Sequence, residues 1–507
     1  MKNSLATNAT WNIIARIATL AINFFVTPVL ISRLGTDHYG LYMLIMSVSG
    51  LMGLMSLGLG DATIRYVAYY GNRCDILGVN RVFRATLSVY LASGICTVIV
   101  VTVASPIIIS FFSISPSEKE VAILLLKLSS ISFLLNLVGG VVGAIPQAYQ
   151  RYDISAKISV FVTFVQSVLT VYLVLQGYGI VSLVYIGIAV TLLTLILNIR
   201  AAKYIIPELE LYPVPSVAGL KEVFGFGVYA FLSQIFGIAF SYSDRLLIGV
   251  FAGSTAVSFL TVPQDLALRA LSLMSQGGSV LFPKFSTIGD FKDIVRVYLN
   301  ATWSMLFLSI VIFVPLTIFM SDFIALWVNK DFSVKCSSVG QLIAFSSIIR
   351  GAFVTYEALF KGLNRPQYVT ALTFVVGITS LGLNSVLIPR YGIVGAGYSY
   401  CVTATWGVVT LLIAWKYVLK VSNYKPLVRI ILFPVLIALI CLGIGYQLRL
   451  LIPPHSWFVL GVEVLSIDII TAVMLIAFET VFGKEESCAK ILLNGLRNAF
   501  MVKFQKA

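Results

Sequence analysis

A long apolar run near the start of the chain, from Trp11 to Ser32, most constrains the fold. A helix of about 20 apolar residues is long enough to cross the hydrocarbon core of a bilayer. The run also carries polar residues at spacings of 4, 3, 4 and 4, which place them on one face of a helix. These residues are Asn12, Arg16, Thr19, Asn23 and Thr27. Because a charge inside a bilayer is costly unless it faces water or a partner, the pattern predicts a membrane helix that lines a polar cavity.

Similar apolar runs fill the rest of the chain. Of its 507 residues, 59% are hydrophobic and only 11% are charged, whereas about one quarter of a soluble domain is charged. We therefore predict an all-α polytopic membrane protein with fourteen transmembrane helices. The predicted spans cover residues 11–32, 40–60, 85–112, 121–145, 158–175, 180–199, 224–249, 257–282, 301–320, 339–359, 368–388, 393–415, 430–446 and 457–482. The first run is too long for a signal peptide and lacks a cleavage site, so we expect it to remain as a helix.

The positions of the basic residues predict the orientation. Of the 35 Lys and Arg residues, 24 fall on one side of the predicted spans, six fall on the other and five lie inside spans. Because short cytoplasmic loops collect Lys and Arg, both termini are predicted to be cytoplasmic. The same bias explains the net charge of +14, and no nucleic-acid partner is predicted.

The two halves of the chain resemble one another. Residues 29–35 resemble 246–252, residues 144–151 resemble 358–365, and residues 177–181 resemble 390–394, at offsets of 217, 214 and 213. A repeat of six spans returns to its starting side of the membrane. The sequence therefore predicts two parallel six-helix repeats, related by an axis along the membrane normal.

The longest predicted loops, 61–84 and 200–223, are cytoplasmic, and the second contains prolines that favour an extended linker. This linker is predicted to separate the two repeats. The predicted domains are an N-terminal six-helix bundle at 1–210, a C-terminal six-helix bundle at 211–420, an additional helix pair at 421–482 and a cytoplasmic amphipathic tail at 483–507.

Charged residues within the predicted spans are the main candidates for function. Five are basic and form the predicted substrate-binding set: Arg16, Lys127, Arg245, Arg269 and Arg350. Neutral polar residues are predicted to line the same cavity: Asn12, Asn23, Gln234 and Gln276. Three acidic residues are candidates for ion coupling: Asp244, Asp265 and Glu357. A cationic, hydroxyl-rich lining favours a bulky anion that carries sugars, and arginine makes forked contacts with phosphate.

A structural interpretation of these charges stays open beside the functional one. Asp265 and Arg269, four residues apart, would neutralise one another and so help a helix to insert, and Arg350 with Glu357 would do the same. Arg245 lies near a span end and would reach the interface with its long side chain. Glu463 and Asp468 fall in the last span, outside the repeats, and a structural role is favoured for them.

Catalytic and cofactor motifs are absent from the sequence. The six cysteines are scattered without a Cys-x-x-Cys pair, and His38 and His455 are single loop histidines, so neither a disulfide framework nor a metal site is predicted. The chain has no Walker A motif and no glycine-rich nucleotide fingerprint after a strand. We therefore predict no cofactor and no enzymatic activity.

Several loose motifs carry a family resemblance over nearly the whole chain. They are Leu34-Gly35 through Tyr39-Gly40-Leu41-Tyr42, Gly58-Leu59-Gly60 followed by Arg65-Tyr66-Val67, Gln147 to Asp153, Asp244 to Gly249, and Tyr-Gly-Ile-Val at 178–181 and 391–394. With these motifs the chain resembles the polysaccharide (O-antigen type) translocases, which are flippases of the multidrug/oligosaccharidyl-lipid/polysaccharide exporter superfamily.

The resemblance implies a fold and a function. The fold would be a V of two six-helix bundles with two additional helices, working by alternating access. The cargo would be an undecaprenyl-pyrophosphate-linked oligosaccharide, carried from the cytoplasmic to the periplasmic leaflet of a bacterial inner membrane, and the five basic residues would be its lumenal ligands. Other candidate partners are membrane lipids, a polysaccharide polymerase and a chain-length regulator. Without a nucleotide site, the energy would come from an ion gradient.

Two alternatives remain open from the sequence. A cation-coupled drug or metabolite exporter would share the fold, although organic cations need an acidic lumen rather than an arginine-rich one. A membrane-embedded polymerase or glycosyltransferase would need a catalytic loop, and the longest predicted external loop, 321–338, is short and contains two acids.

Overall fold

The computed structural model describes residues 5–288 and 290–482, and all regular structure in these ranges is helical. The all-α prediction is therefore confirmed for the described chain. The helices are α1 (Leu5–Leu51), α2 (Leu59–Gly71), α3 (Ile76–Ser110), α4 (Pro116–Ala148), α5 (Tyr152–Leu175), α6 (Ile180–Ile205), α7 (Val217–Phe251), α8 (Ser254–Thr287), α9 (Phe291–Trp327), α10 (Lys330–Arg350), α11 (Phe353–Gly362), α12 (Pro366–Tyr391), α13 (Ile393–Ile413), α14 (Lys425–Leu451) and α15 (Trp457–Phe482). The predicted tail at 483–507 lies outside the described residues.

The described chain has many helices that suit a bilayer. Eleven segments are long and apolar enough to cross a membrane, which makes this a multi-pass membrane protein. One of them, Ile17–Ser56, holds the first two predicted spans. The helices α7 and α8, with 35 and 34 residues, hold the seventh and eighth predicted spans but are not among the eleven. Most of the predicted spans fall within single helices, but span 40–60 crosses the break between α1 and α2 and span 339–359 the break between α10 and α11, and fourteen crossings remain a prediction.

The chain divides into two compact units between Ser258 and Phe259, inside α8. In the first unit α1 packs against α4, α5 and α7, and α4 packs against α3 and α6. In the second unit α9 packs against α10, α14 and α15, and α13 packs against α10 and α12. Each unit has its own apolar core, one around Phe83 and Ile145 and the other around Tyr298 and Trp415. The predicted domain limits near residues 210 and 420 stay predictions.

Two predicted loops are largely helical. The loop at 61–84 holds most of α2, whose buried residues Leu59, Ala62, Thr63 and Val67 recur at helical spacing. The predicted external loop at 321–338 contains only a short break between Trp327 and Lys330. Both segments are too polar to be recognised as membrane spans, but an amphipathic helix needs only one apolar face to pack.

Corresponding turns in the two halves share their backbone conformation. Gln150 after α4 and Asn364 after α11 are both left-handed, with φ of 57° and 56°. In each case the next backbone N–H donates to the carbonyl five residues back, at 2.8 Å, as in the Schellman end of a helix. Gly35, which breaks α1, and Gly253, between α7 and α8, have φ of 81° and 86°. These matches favour the duplication, which remains a prediction.

The proline-containing linker from Ile206 to Ser216 is anchored to the first unit. Asn80, a buried residue of α3, donates from Nδ2 to the carbonyl of Glu208 at 3.1 Å and accepts from the N–H of Glu210 at 3.0 Å. Arg84 forms an ion pair with Glu210, and its guanidinium lies 4.0 Å from the ring centroid of Tyr212. The linker is thus non-helical, with a turn at Pro207–Glu208, and it has a fixed path along α3.

Replacing Asn80 with alanine is expected to destabilise the protein by about 1–3 kcal/mol, because two partly buried hydrogen bonds to the linker backbone would be lost. Thermal unfolding in detergent measures this loss, and limited proteolysis measures cleavage within residues 206–216. Leu77→Ala on the same helix is the control, since Leu77 is 81% exposed. Equal melting temperatures and equal cleavage in the two variants would contradict the anchoring role.

Candidate functional site

Four helices of the first unit, α1, α4, α5 and α6, enclose a cavity of about 480 Å³. Its polar lining consists of hydroxyl and amide side chains: Tyr42, Ser49, Ser129, Ser132, Asn136, Gln166, Thr191 and Thr194. Met46, Phe133, Val162 and Leu183 are among its apolar neighbours. Ser129 to Asn136 lie near the middle of α4, so the cavity is close to the centre of that span.

Helical spacing explains how these side chains converge. On α1 the lining residues are Tyr42, Met46 and Ser49, at steps of four and three. On α4 they include Ser129, Ser132 and Asn136, and on α6 Gly187, Thr191 and Thr194, again at steps of three and four. Such steps keep side chains on one face of a helix. Each helix therefore presents one polar stripe to the shared space.

The cavity has hydrogen-bonding groups and no charge among its described lining residues. Several hydroxyls bond to the carbonyl one turn earlier, as Thr191 does to Gly187 at 2.8 Å. Ser129 differs: its Oγ is buried and has no hydrogen-bond partner within the described chain. A buried polar atom without a partner is costly. The Ser129 hydroxyl is therefore an unsatisfied polar group in the wall of the cavity.

Three of the predicted site residues lie on helices of the first unit but do not line this cavity. Lys127 is half-buried on α4, about 160° around the helix from Ser129 by the helical repeat of 3.6 residues. Asn23 is half-buried on α1, and its carbonyl accepts from Thr27 at 3.1 Å. Gln234 on α7 donates from Nε2 to Ser56 Oγ at 2.9 Å.

The predicted charges on α7 and α8 are buried or half-buried. Asp244 is 4% exposed, and its Oδ1 accepts from the N–H of Arg245 at 2.8 Å. Arg245, Asp265 and Arg269 are half-buried. The side chains of Asn12, Arg16 and Gln276 lie outside the part of the chain that the structure describes. A shared cationic lumen for these residues remains a prediction.

Arg350 at the end of α10 has a defined set of contacts in the second unit. Its Nη2 donates to Thr403 Oγ1 at 3.3 Å, and its guanidinium lies 4.7 Å from the ring centroid of Tyr400. The Tyr400 hydroxyl accepts from Gln264 Nε2 at 2.5 Å. Glu357 instead pairs with Lys361 at 2.6 Å. The proposed neutralisation of Arg350 by Glu357 is therefore not the arrangement observed.

A second cavity, also of about 480 Å³, lies at the ends of α2, α4 and α6. Gly71, Tyr149, Arg151 and Tyr204 are among its lining residues. Arg151 donates from Nε and Nη2 to the two carboxylate oxygens of Asp153 at 3.0 and 3.1 Å, and these hydrogen bonds raise the pKa of Arg151. The guanidinium is thus already neutralised, and this cavity offers little free positive charge for an anion.

Of the predicted site residues whose side chains the structure describes, none lines the cavity between α1, α4, α5 and α6, which we call the central cavity. The predicted site consists mainly of charged residues, because charges are rare in membrane helices, whereas the lining consists of uncharged hydroxyl and amide side chains. The signal that identifies the cavity is the repetition of steps of three and four by uncharged polar residues on α1, α4 and α6. One such stripe is common in membrane helices, where Ser and Thr often bond to neighbouring helices. Convergence of several stripes is visible only in three dimensions.

Known proteins resemble this chain in sequence and in fold. A relative from Shigella flexneri described as "Putative O-antigen transporter" is 19% identical over 432 residues, covering 83% of this chain and all of the relative. The structure of the lipid II flippase MurJ in an inward closed conformation superposes with a TM-score of 0.74 at 14% identity, covering 94% of this chain and 98% of that one. A multidrug resistance MATE family transporter of the MOP superfamily, in an inward-facing conformation, superposes with a TM-score of 0.66 at 15% identity, covering 81% and 100%.

These matches confirm the family resemblance and show a fold shared with the two transporters. Residues 30–323, more than half of the chain, also match the protein family described as "Polysaccharide biosynthesis protein". This segment includes α2 to α8, the second half of α1 and nearly all of α9, and so contains all residues that line the central cavity. The chain belongs to the polysaccharide biosynthesis protein family.

Proposed function

We propose that this protein is a flippase that carries a lipid-linked oligosaccharide across a bacterial inner membrane. The cargo is an undecaprenyl-pyrophosphate-linked repeat unit of O-antigen or a related surface polysaccharide. It moves from the cytoplasmic to the periplasmic leaflet by alternating access, and both termini of the protein lie in the cytoplasm. The chain acts as a transporter, without a catalytic centre of its own.

The observation that carries the proposal is the uncharged, hydroxyl-lined cavity in the first unit. Sugars present many hydroxyl groups, each of which donates and accepts hydrogen bonds. Serine, threonine, tyrosine, asparagine and glutamine side chains match this pattern. The cavity provides all five types between membrane helices, near the centre of α4. Family membership and the shared fold with a lipid II flippase support the same class of cargo.

The pyrophosphate and the energy source require charged residues elsewhere. The predicted phosphate ligands are Arg16, Lys127, Arg245, Arg269 and Arg350, and arginine suits this role because its guanidinium binds phosphate in a forked geometry. We propose ion coupling through carboxylates, with Asp244 and Asp265 as candidates because both lie on helices with a basic residue close by. Glu357 is less suited to coupling, since it is about half-exposed and already paired with Lys361.

Deletion in the native host tests the transport step. We expect loss of surface polysaccharide, with the lipid-linked intermediate confined to the cytoplasmic leaflet. A plasmid copy of the gene is expected to restore the polysaccharide. The sidedness of the intermediate is measured by glycan labelling of intact and permeabilised spheroplasts. An intermediate that reaches the outer face but stays unpolymerised would instead indicate a polymerase. Unchanged polysaccharide, together with new drug sensitivity, would indicate an exporter.

A further inference from the structure

An ion pair joins α9 to α14 in the second unit. The helix α9 belongs to the second predicted repeat, whereas α14 belongs to the predicted additional helix pair. Arg449 Nε lies 2.5 Å from Asp322 Oδ2, and its Nη2 lies 3.4 Å from Asp322 Oδ1. Nη2 also donates to Ser321 Oγ at 2.5 Å. Arg449 is therefore neutralised by Asp322 and held by a two-point contact.

Glu463 on α15 adds a third charged group to this pair. Its side chain interacts electrostatically with both Asp322 and Arg449. The residue is 9% exposed, and within the described chain neither carboxylate oxygen has a hydrogen-bond partner. Both oxygens are buried. The unpartnered carboxyl group thus lies within electrostatic range of an ion pair that is already complete.

The summed charge of Asp322, Arg449 and Glu463 indicates which ligand the carboxyl group of Glu463 binds. With Asp322, Arg449 and Glu463 all ionised, the cluster has a net charge of −1 and no donor for Glu463. An unpaired carboxylate in a water-poor environment is strongly unfavourable. Uptake of one proton removes the excess charge and turns one oxygen into a donor.

The surroundings favour a proton over a metal cation. Among the other titratable groups on the packed helices, Tyr446 on α14 interacts electrostatically with Arg449, and Asp468 lies on α15 itself, five residues after Glu463. Sodium would need several oxygen ligands beside a guanidinium that already supplies positive charge, whereas a proton needs only the carboxyl group.

We propose that Glu463 is a proton-binding site whose occupancy controls the Asp322–Arg449 ion pair. While Glu463 holds a proton, Arg449 stays with Asp322. When the proton leaves, the carboxylate of Glu463 competes with Asp322 for Arg449 and so weakens the connection between α9 and α14. The site goes beyond the proposed function, because proton binding here does not depend on which cargo the chain moves.

Infrared spectroscopy of the purified full-length protein in lipid nanodiscs tests the site directly. At neutral pH the wild type is expected to show the C=O stretch of a protonated carboxyl group that is missing in Glu463→Gln. Glu120→Gln, which changes an exposed carboxylate at the start of α4, is the matched control and is expected to leave this band in place. A wild-type spectrum that Glu463→Gln leaves unchanged would overturn the proposal, since Glu463 would then be ionised.

A second variant tests the competition for Arg449. In Asp322→Asn the arginine loses its carboxylate partner, so Glu463 is expected to ionise and its C=O band to disappear at the same pH. Persistence of the band in this variant would contradict the coupling between the two carboxyl groups. Loss of the wild-type band on addition of sodium at constant pH would identify a metal-cation site and overturn the assignment to a proton. None of these readouts depends on polysaccharide export, so the proposed function is tested separately.

Discussion

Replacing Gly187 with phenylalanine is expected to lower export of surface polysaccharide by about tenfold or more while the amount of folded protein stays unchanged. Gly187 lies on α6 in the wall of the central cavity, and a Cβ atom at this position would meet nothing within 4 Å. A side chain at this position therefore starts into open space rather than into a neighbouring helix, and a benzyl group would occupy part of the cavity. Removing the glycine also does not weaken the helix, because glycine is among the poorest helix formers.

The size of the effect follows from the hydrogen bonds that the cargo would lose. Each hydrogen bond contributes about 0.5–1.5 kcal/mol, and about 1.4 kcal/mol corresponds to a tenfold change in affinity. A ring that blocks contacts with Ser132 and Thr191 is thus expected to lower export by at least about tenfold. Quantification of surface polysaccharide per folded transporter in a complemented deletion strain measures the change.

Gly140→Phe provides a matched control for this prediction. Gly140 lies on α4, is exposed, and likewise has nothing within 4 Å of an added Cβ, but it does not line the cavity. We expect near-normal export from this variant. Equal losses in the two variants would point to a general effect of bulk on these helices, and normal export from Gly187→Phe would show that the cargo does not use the cavity.

The sequence predicted the membrane helices better than it predicted the contacts between them and the loops. Apolar runs interrupted by few charges are enough to identify membrane helices, because the bilayer requires backbone hydrogen bonds to be satisfied within each segment. The same criterion missed α2, which buries one face only. It also gave no indication that Asn80 binds the backbone near Glu208 and Glu210, since that contact joins residues about 130 positions apart.

The candidate site shows a similar division. A charge within a span is visible in the sequence, and Arg350, Asp244 and Asp265 are indeed buried or half-buried. Whether such a charge faces cargo or a neighbouring helix depends on packing, and Arg350 contacts Thr403 on α13. Glu463, for which the sequence favours a structural role, has a buried carboxyl group without a hydrogen-bond partner in the described chain. The three-dimensional positions of Asp322 and Arg449 are needed to distinguish a structural role of Glu463 from proton binding.

Arg350→Ala is expected to lower export by at least about tenfold. The guanidinium makes one hydrogen bond to Thr403 and lies over the ring of Tyr400. A hydrogen bond from this guanidinium to a phosphate of the cargo would contribute about 1.5–3 kcal/mol, which corresponds to at least about a tenfold change in affinity. If Arg350 binds the phosphates of the cargo, the positive charge itself is needed. Arg350→Lys, which keeps the charge but not the planar fork, is then expected to retain intermediate export.

Two further variants separate a role in binding cargo from a role in packing. Thr403→Val removes the hydroxyl that Arg350 contacts while preserving the shape of the side chain, so it tests the connection between α10 and α13 with the charge in place. Arg390→Ala removes an exposed arginine at the end of α12 and controls for the loss of one positive charge.

We expect export per folded molecule to fall only in the Arg350 variants. A melting temperature lowered equally by Arg350→Ala and Thr403→Val, with export per folded molecule unchanged, would make Arg350 a packing residue. The anion would then have to be bound by the other predicted cations, because a cavity without charged walls neutralises no phosphate.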